Sequence, residues 1–159
     1  MLIDGVTLAR AIHVLSLVHW IGGVWIVTTV ILPHAQRLKN HAEAIRYFED
    51  FERRFAWQAR ISIFFAGASG LYMLAELNAW DGLGYLAFWW IDLMIAVWVA
   101  FAIMVYVLEP LFIHQVFHRF AEVHKDRAFS TAKWLHAVAL LVSLVAIAGG
   151  ILGSHGNLP

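Results

Sequence analysis

Four long apolar runs separated by polar stretches set the pattern of this chain. Crossing a hydrocarbon layer of about 30 Å takes about 20 helical residues. Runs of that length lie at about residues 7–33, 55–77, 86–108 and 132–153. Between Ala11 and Gln36 there is no Asp, Glu, Lys or Arg. The second run is shorter between its charged ends, Arg60 and Glu76, but aromatic residues extend it. A single charge, Asp92, interrupts the third, in AFWWIDLMIAVWVAF, and the fourth has none beyond Lys133. The pattern predicts an all-α, integral membrane four-helix bundle, running up-down-up-down and occupying residues 1–159 as one domain.

Composition sharpens this picture. With 62% hydrophobic and 14% charged residues, the chain lies outside the range of a water-soluble domain. Eleven basic and eleven acidic residues give no basic excess for nucleic acid. The absence of cysteine excludes disulfides and thiolate sites, and nine histidines against four methionines favour imidazole as the metal-binding group. No basic segment, short apolar run and small-residue cleavage site open the chain, so the first run is expected to stay as an anchor.

Lys and Arg choose the orientation. Arg37, Lys39, Arg46, Arg53, Arg54 and Arg60 lie between runs one and two, and Arg119, Lys125, Arg127 and Lys133 between runs three and four, whereas the other side has only Arg10. The positive-inside rule then places both basic connections in the cytoplasm of a bacterial-type inner membrane and both termini outside.

In HAEAIRYFEDFERRFAWQAR, Ile45, Phe48, Phe51 and Phe55 recur at helical spacing. This suits a helix lying on the membrane surface or extending span two, as a lipid-facing stabiliser or as a partner-docking surface. Gly67, Gly70, Gly149 and Gly153 allow close backbone approach, within the bundle or between copies in a homo-oligomer.

Ionisable groups at membrane depth need a partner, water or a function. By depth, His13, His19, Asp92, Glu76 and His155 fall near the outer face, and His34, Glu109, His114, His118 and His136 near the inner one. Six residues separate His13 from His19, about 120° around a helix and about 9 Å along it, so the two cannot chelate one ion from a straight helix. Trp20 returns to the His13 face, and Gly22 and Gly23 thin the helix for a flat cofactor or a close contact. His114 and His118 form an H-x3-H pair suited to shared metal ligation. Pro33 and Pro110 each remove a backbone hydrogen bond beside His34 and Glu109. The bland reading competes at every position: His34, His114 and His118 as interfacial polar groups, His41 and His124 as solvated loop residues, and the tryptophans Trp57, Trp80, Trp89, Trp90 and Trp134 as interfacial belts.

The stretch HVLSLVHWIGGVWIVTTVILPHA, His13 to Ala35, resembles the first span of two related groups of small membrane proteins. In the HemJ-type protoporphyrinogen oxidase family a histidine is followed by a tryptophan seven residues on, a small-residue pair and a His-Ala; His13, Trp20, Gly22, Gly23, His34 and Ala35 match in order and spacing. In the CopD copper-resistance family the opening LHVL...WIGG recurs. The HemJ-type resemblance implies that His13 ligates haem b. That family carries Trp-x-His-x-Lys in its third helix, where this chain has Trp90, Asp92 and Met94. The departure argues against porphyrinogen oxidation while leaving a haem on His13, its second ligand coming from His19, His155 or elsewhere.

Chemistry of the residues agrees with a haem b protein, carrying one or two haems on imidazoles such as His13, His19, His136 and His155, in electron transfer or membrane oxidoreduction with a quinone or a redox partner protein. Asp92 would then be the carboxylate that orients a histidine or relays a proton. Copper is the alternative cofactor, with His13, His19, Asp92 and His155 as an outer site, His34, His114 and His118 as an inner one, and Met73, Met94 or Met104 supplying thioethers. A scaffold subunit whose histidines only make helix contacts is the third reading.

Overall fold

A computed structural model describes residues 4–154, the side chains at 112–114 and 154 excepted. The described chain is helical almost throughout, without strands. Asp4 opens α1 by accepting the Thr7 amide at 2.7 Å. This helix, Gly5–Arg37, widens into π-helical turns over Val27–Ile31 just before Pro33. Asn40 caps α2, His41–Glu76, with bonds of 2.9 and 3.3 Å from the amides of Ala42 and Glu43. Two short 3-10 turns lead to α3, Trp89–Ile103, which runs on into a second π-helical stretch, Met104–Ile113, around Pro110. The last helix, α4, covers His114–Ser154 and is broken only at His124 (φ −132°, ψ 57°). Each proline thus meets a widened helix, because the ring would strike the carbonyl four residues back in an α-helical turn.

Three helices among the described residues are long and apolar enough to cross a membrane: Gly5–Arg37, Leu86–Leu111 and Gln115–Gly153. The second expected span is not one of them, although α2 has 36 residues. Its apolar stretch carries Ser62, Ser69, Tyr72, Gly67 and Gly70, and the two serines hydrogen-bond histidines of α1. Outward faces of α1, α3 and α4 carry Leu15, Val18, Val99, Leu141 and Ile151 exposed, a surface that suits lipid.

Two other expectations change. Of the two readings of the amphipathic segment at 41–55, the extension of the second run is the one found, since it is continuous with α2; the lipid-facing role changes, because Ala44, Ile45 and Phe48 are buried against Val27, Ile31, Leu32 and Ala35 of α1 and Ala121, Ala128 and Phe129 of α4. The connection between runs three and four is likewise helical on both sides of His124. These segments form a second core at the basic end of the bundle, where Phe48, Phe117 and Phe129 make ring contacts at 5.0 to 5.8 Å.

The glycines mark packing within the chain. A methyl group on Gly67 would run into the indole of Trp98, and one on Gly149 or Gly153 into Trp89 or Trp90. Trp98 has no freedom to retreat, since its Nε1–H donates to the Ile63 carbonyl at 2.8 Å. Gly67→Ala is therefore expected to lower stability by about 1–3 kcal/mol, the usual range for overpacking. Nothing lies within 4 Å of the equivalent point on Gly22, so Gly22→Ala should be neutral or mildly stabilising. Thermal midpoints of the two variants in one detergent check this, and equal midpoints would contradict it.

Candidate functional site

The polar faces of the bundle converge on α2. Backbone carbonyls of Arg60, Ile63 and Ala66 each accept a side-chain donor from a neighbouring helix: Tyr106 Oη–H at 2.6 Å, Trp98 Nε1–H at 2.8 Å and His13 Nδ1–H at 2.8 Å. A helical carbonyl has a second lone pair free for this, so α2 binds its neighbours without losing its own ladder.

His13 is half-buried. Its Nδ1–H points at the Ala66 carbonyl and also lies 3.2 Å from the Ser69 hydroxyl, which donates onward to the carbonyls of Phe65 and Ala66. A carbonyl can only accept, so this bond fixes the tautomer and leaves Nε2 with its lone pair. No partner of Nε2 exists among the described residues, and no buried side-chain nitrogen or oxygen there lacks a partner, so Nε2 opens on accessible space. Gly70 borders the ring: a methyl group there would sit 3.2 Å from Cε1. An imidazole held through Nδ1–H with Nε2 free is the arrangement of an axial or metal ligand, and on this observation His13 fits one.

The remaining expected residues sort differently. His19 is exposed, and its Nδ1 shares a 2.7 Å hydrogen bond with Ser62 Oγ; a hydroxyl donates or accepts, so that bond fixes no tautomer. His136 donates Nδ1–H to the Ala132 carbonyl one turn back at 2.8 Å, again leaving Nε2 free. Trp20 is only 2% exposed and packs edge-on to Phe101, with ring centroids 4.6 Å apart, among Ile21, Val24, Ile63 and Leu140. It is a core residue rather than a wall for a cofactor.

Among the described residues Asp92 hydrogen-bonds no histidine. Its carboxylate accepts the Gly84 amide at 3.1 and 3.3 Å and ties down the turn before α3. Gly84 has φ +79°, a backbone state that glycine adopts without a Cβ penalty. At the basic end, His118 places Nδ1 2.8 Å from Glu49 and Nε2 3.2 Å from Glu122, so carboxylates occupy both ring nitrogens. His34 is exposed and leans on Tyr47, centroids 4.9 Å apart. The side chain of His114 and all of His155 lie outside the described residues. Among the described residues no three His, Asp or Glu groups converge as a metal site requires.

Comparison with family models, with curated proteins and with solved structures returns no match. The resemblance of the first helix rests on its own residues, His13 to Ala35.

Two features escaped the sequence reading. Lys125 is 7% exposed and donates Nζ–H bonds to the carbonyls of Gln36, at 3.4 Å, and Leu38, closing the C-terminal end of α1. No sequence signal separates it from the other loop lysines. Arg60 binds the Glu109 carboxylate and, through Nε at 3.3 Å, the Val105 carbonyl. In a π-helical turn that carbonyl would take the amide five residues on; residue 110 is proline, and Arg60 supplies the donor it lacks. Here a signal existed, since Arg60 and Glu109 are opposite charges at the same expected depth, next to a helical proline.

Proposed function

We propose that this chain is an integral membrane haem b protein of electron transfer or membrane oxidoreduction, with His13 as an axial ligand. The observation that carries the reading is the His13 ring, fixed through Nδ1–H to Ala66 with Nε2 left open. Haem, when bound, supplies one-electron redox chemistry whose potential is set by axial ligand and burial. The chain's part is to hold the imidazole oriented, through Ala66 and Ser69, and to leave room at Gly70. His136 has the same free Nε2 but lies one turn before Leu140, which packs at the level of Trp20 to Val24. His13 is a further two turns away, about 10 Å, so His136 would serve a second haem rather than the first. A quinone or a redox protein would exchange the electrons.

The helices run up-down-up-down in a bacterial-type inner membrane, the basic end in the cytoplasm and both termini outside. The distribution of Lys and Arg supports this. A reporter fused after Pro159 is expected to read as external, and a cytoplasmic reading would invert the orientation.

Haem content tests the cofactor. Protein purified from cells supplied with a haem precursor should carry one or two haem b per chain by pyridine haemochrome assay. Copper by elemental analysis without haem would favour the copper reading, and neither would leave helix contacts as the role of the histidines.

A further inference from the structure

We infer that His19 and Ser62 form the docking point of a membrane-dissolved quinone, whose head ring lies on the open surface of α1 at Gly22. The use of such a carrier rests on the proposed haem chemistry; the place where it binds does not. His19 stands nine residues along α1 from Arg10, about 13 Å, within the stretch from Ala11 to Gln36 that holds no Asp, Glu, Lys or Arg. The residue is exposed. At that depth the accessible surface faces hydrocarbon, so each ring nitrogen calls for a partner. Nδ1 has the buried Ser62 hydroxyl at 2.7 Å. Nε2 has no partner among the described residues. The side chains at 112–114 are too deep to supply one. Arg60 meets the Val105 carbonyl, Ser62 lies outward from Arg60, and residue 112 lies about two turns beyond Val105 toward the basic end.

The bond to Ser62 decides what class of molecule fits. Against a carbonyl, as for His13, Nδ1 must carry the proton and Nε2 is left as an acceptor. A hydroxyl serves either tautomer. With Ser62 donating, Nε2–H is a donor on the side away from Ser62; with Ser62 accepting, Nε2 presents its lone pair there. A quinone carbonyl needs the first and a quinol hydroxyl the second, so one ring accommodates both redox states without moving. A lipid acyl chain offers neither group. The surface beside the ring suits a flat head and an apolar tail. Gly22, one turn on, is exposed and has nothing within 4 Å of the point where a Cβ would stand, which leaves bare backbone for a ring to lie on. Leu15, Val18, Trp25 and Ile26 are exposed around it and give the tail apolar contact. His13 is about 9 Å away along the same helix, which puts the carrier beside the proposed haem ligand.

Binding of a short-chain ubiquinone to the full chain in nanodiscs tests this, read by quenching of tryptophan fluorescence and by the infrared band of its isotope-labelled carbonyls. The parent chain should quench saturably and lower the carbonyl frequency, as a hydrogen bond from Nε2–H requires. His19→Leu places an apolar side chain at an exposed position, so the fold should hold while binding weakens about tenfold and the frequency shift disappears. His19→Gln, which keeps a donor and an acceptor, should recover part of both. Gly22→Leu should cover the ring's seat without touching the His19–Ser62 bond, and should weaken binding as strongly. Unchanged binding in either leucine variant, or no saturable binding by the parent, would overturn the site. So would a Gly22→Cys variant of this cysteine-free chain that cross-links to a second copy, since a helix would then cover the face. His13→Ala should bind the quinone as the parent does. A colourless protein with quinone at His19 would therefore contradict the haem reading alone, and a haem-loaded protein without saturable quinone binding would contradict this site alone.

Discussion

Replacing His13 with alanine is expected to abolish haem binding, a loss of tenfold or more in cofactor per chain, while replacing His41 leaves it unchanged. Truncation to alanine removes the only imidazole in the first span whose tautomer is fixed by a carbonyl, Ala66, and whose Nε2 is free. His41 lies at the start of α2, next to the Asn40 cap. Ser69→Ala offers a graded control: it deletes the hydroxyl 3.2 Å from Nδ1 but leaves the Ala66 carbonyl in place. It should keep the cofactor with a modest shift in midpoint potential, as removal of an outer-shell partner does. Cofactor per chain after purification, with the helical circular dichroism signal confirming folding, checks all three. Full haem retention in His13→Ala would exclude His13 as an obligatory ligand.

Lys125→Met is expected to destabilise the basic end of the bundle by about 3 kcal/mol. Methionine keeps the apolar stem of a side chain that is 7% exposed, so the change isolates the ammonium group. Losing it strands the carbonyls of Gln36 and Leu38 at a helix C-terminus, where a cation also faces the negative end of the helix dipole. An unsatisfied buried acceptor costs about 1–3 kcal/mol. Limited proteolysis should then cut the 37–41 turn, and the thermal midpoint should fall by several degrees. Lys133→Met, at an exposed position, should do neither. A Lys125→Met protein as resistant as the parent would show that the α1 end is held by packing alone.

Much of the helical plan was legible because hydropathy reports transfer to an apolar medium, and that is what places α1, α3 and α4. Gly67, Gly149 and Gly153 were also readable as contact points, since only a missing side chain lets an indole approach a helix that closely. The same logic misjudged α2, where Ser62 and Ser69 hydrogen-bond His19 and His13 and the carbonyls of Arg60, Ile63 and Ala66 accept neighbouring donors. A helix that serves as the polar spine of a bundle scores as a weak span. The segment from His41 to Phe55 was legible as a helix extending the second run, but not in what covers it: periodicity does not say whether lipid or two other helices, here α1 and α4, lie on its apolar face.

Single side chains were harder to read than spans. Asp92 stood out as a charge in an apolar run, yet its partner is the amide of Gly84, a turn residue eight positions back. Trp20 matched a motif position and proved to be core, against Phe101. Depth sorting of histidines marked His13 as a group needing a partner; the partner found is a backbone carbonyl, and backbone acceptors leave no trace in sequence. Lys125 shows the limit most clearly: Arg127 and Lys133 are cations of the same connection, and nothing in the sequence marks Lys125 as the one that reaches the end of α1.

The most direct measurement is the reduced-minus-oxidised optical spectrum of the purified wild-type chain. A sharp Soret band with resolved α and β bands on reduction, lost in His13→Ala, is the expected result. A preparation with no absorbance beyond its aromatic residues, from cells replete in haem, would contradict the claim that the His13 imidazole is held open for iron.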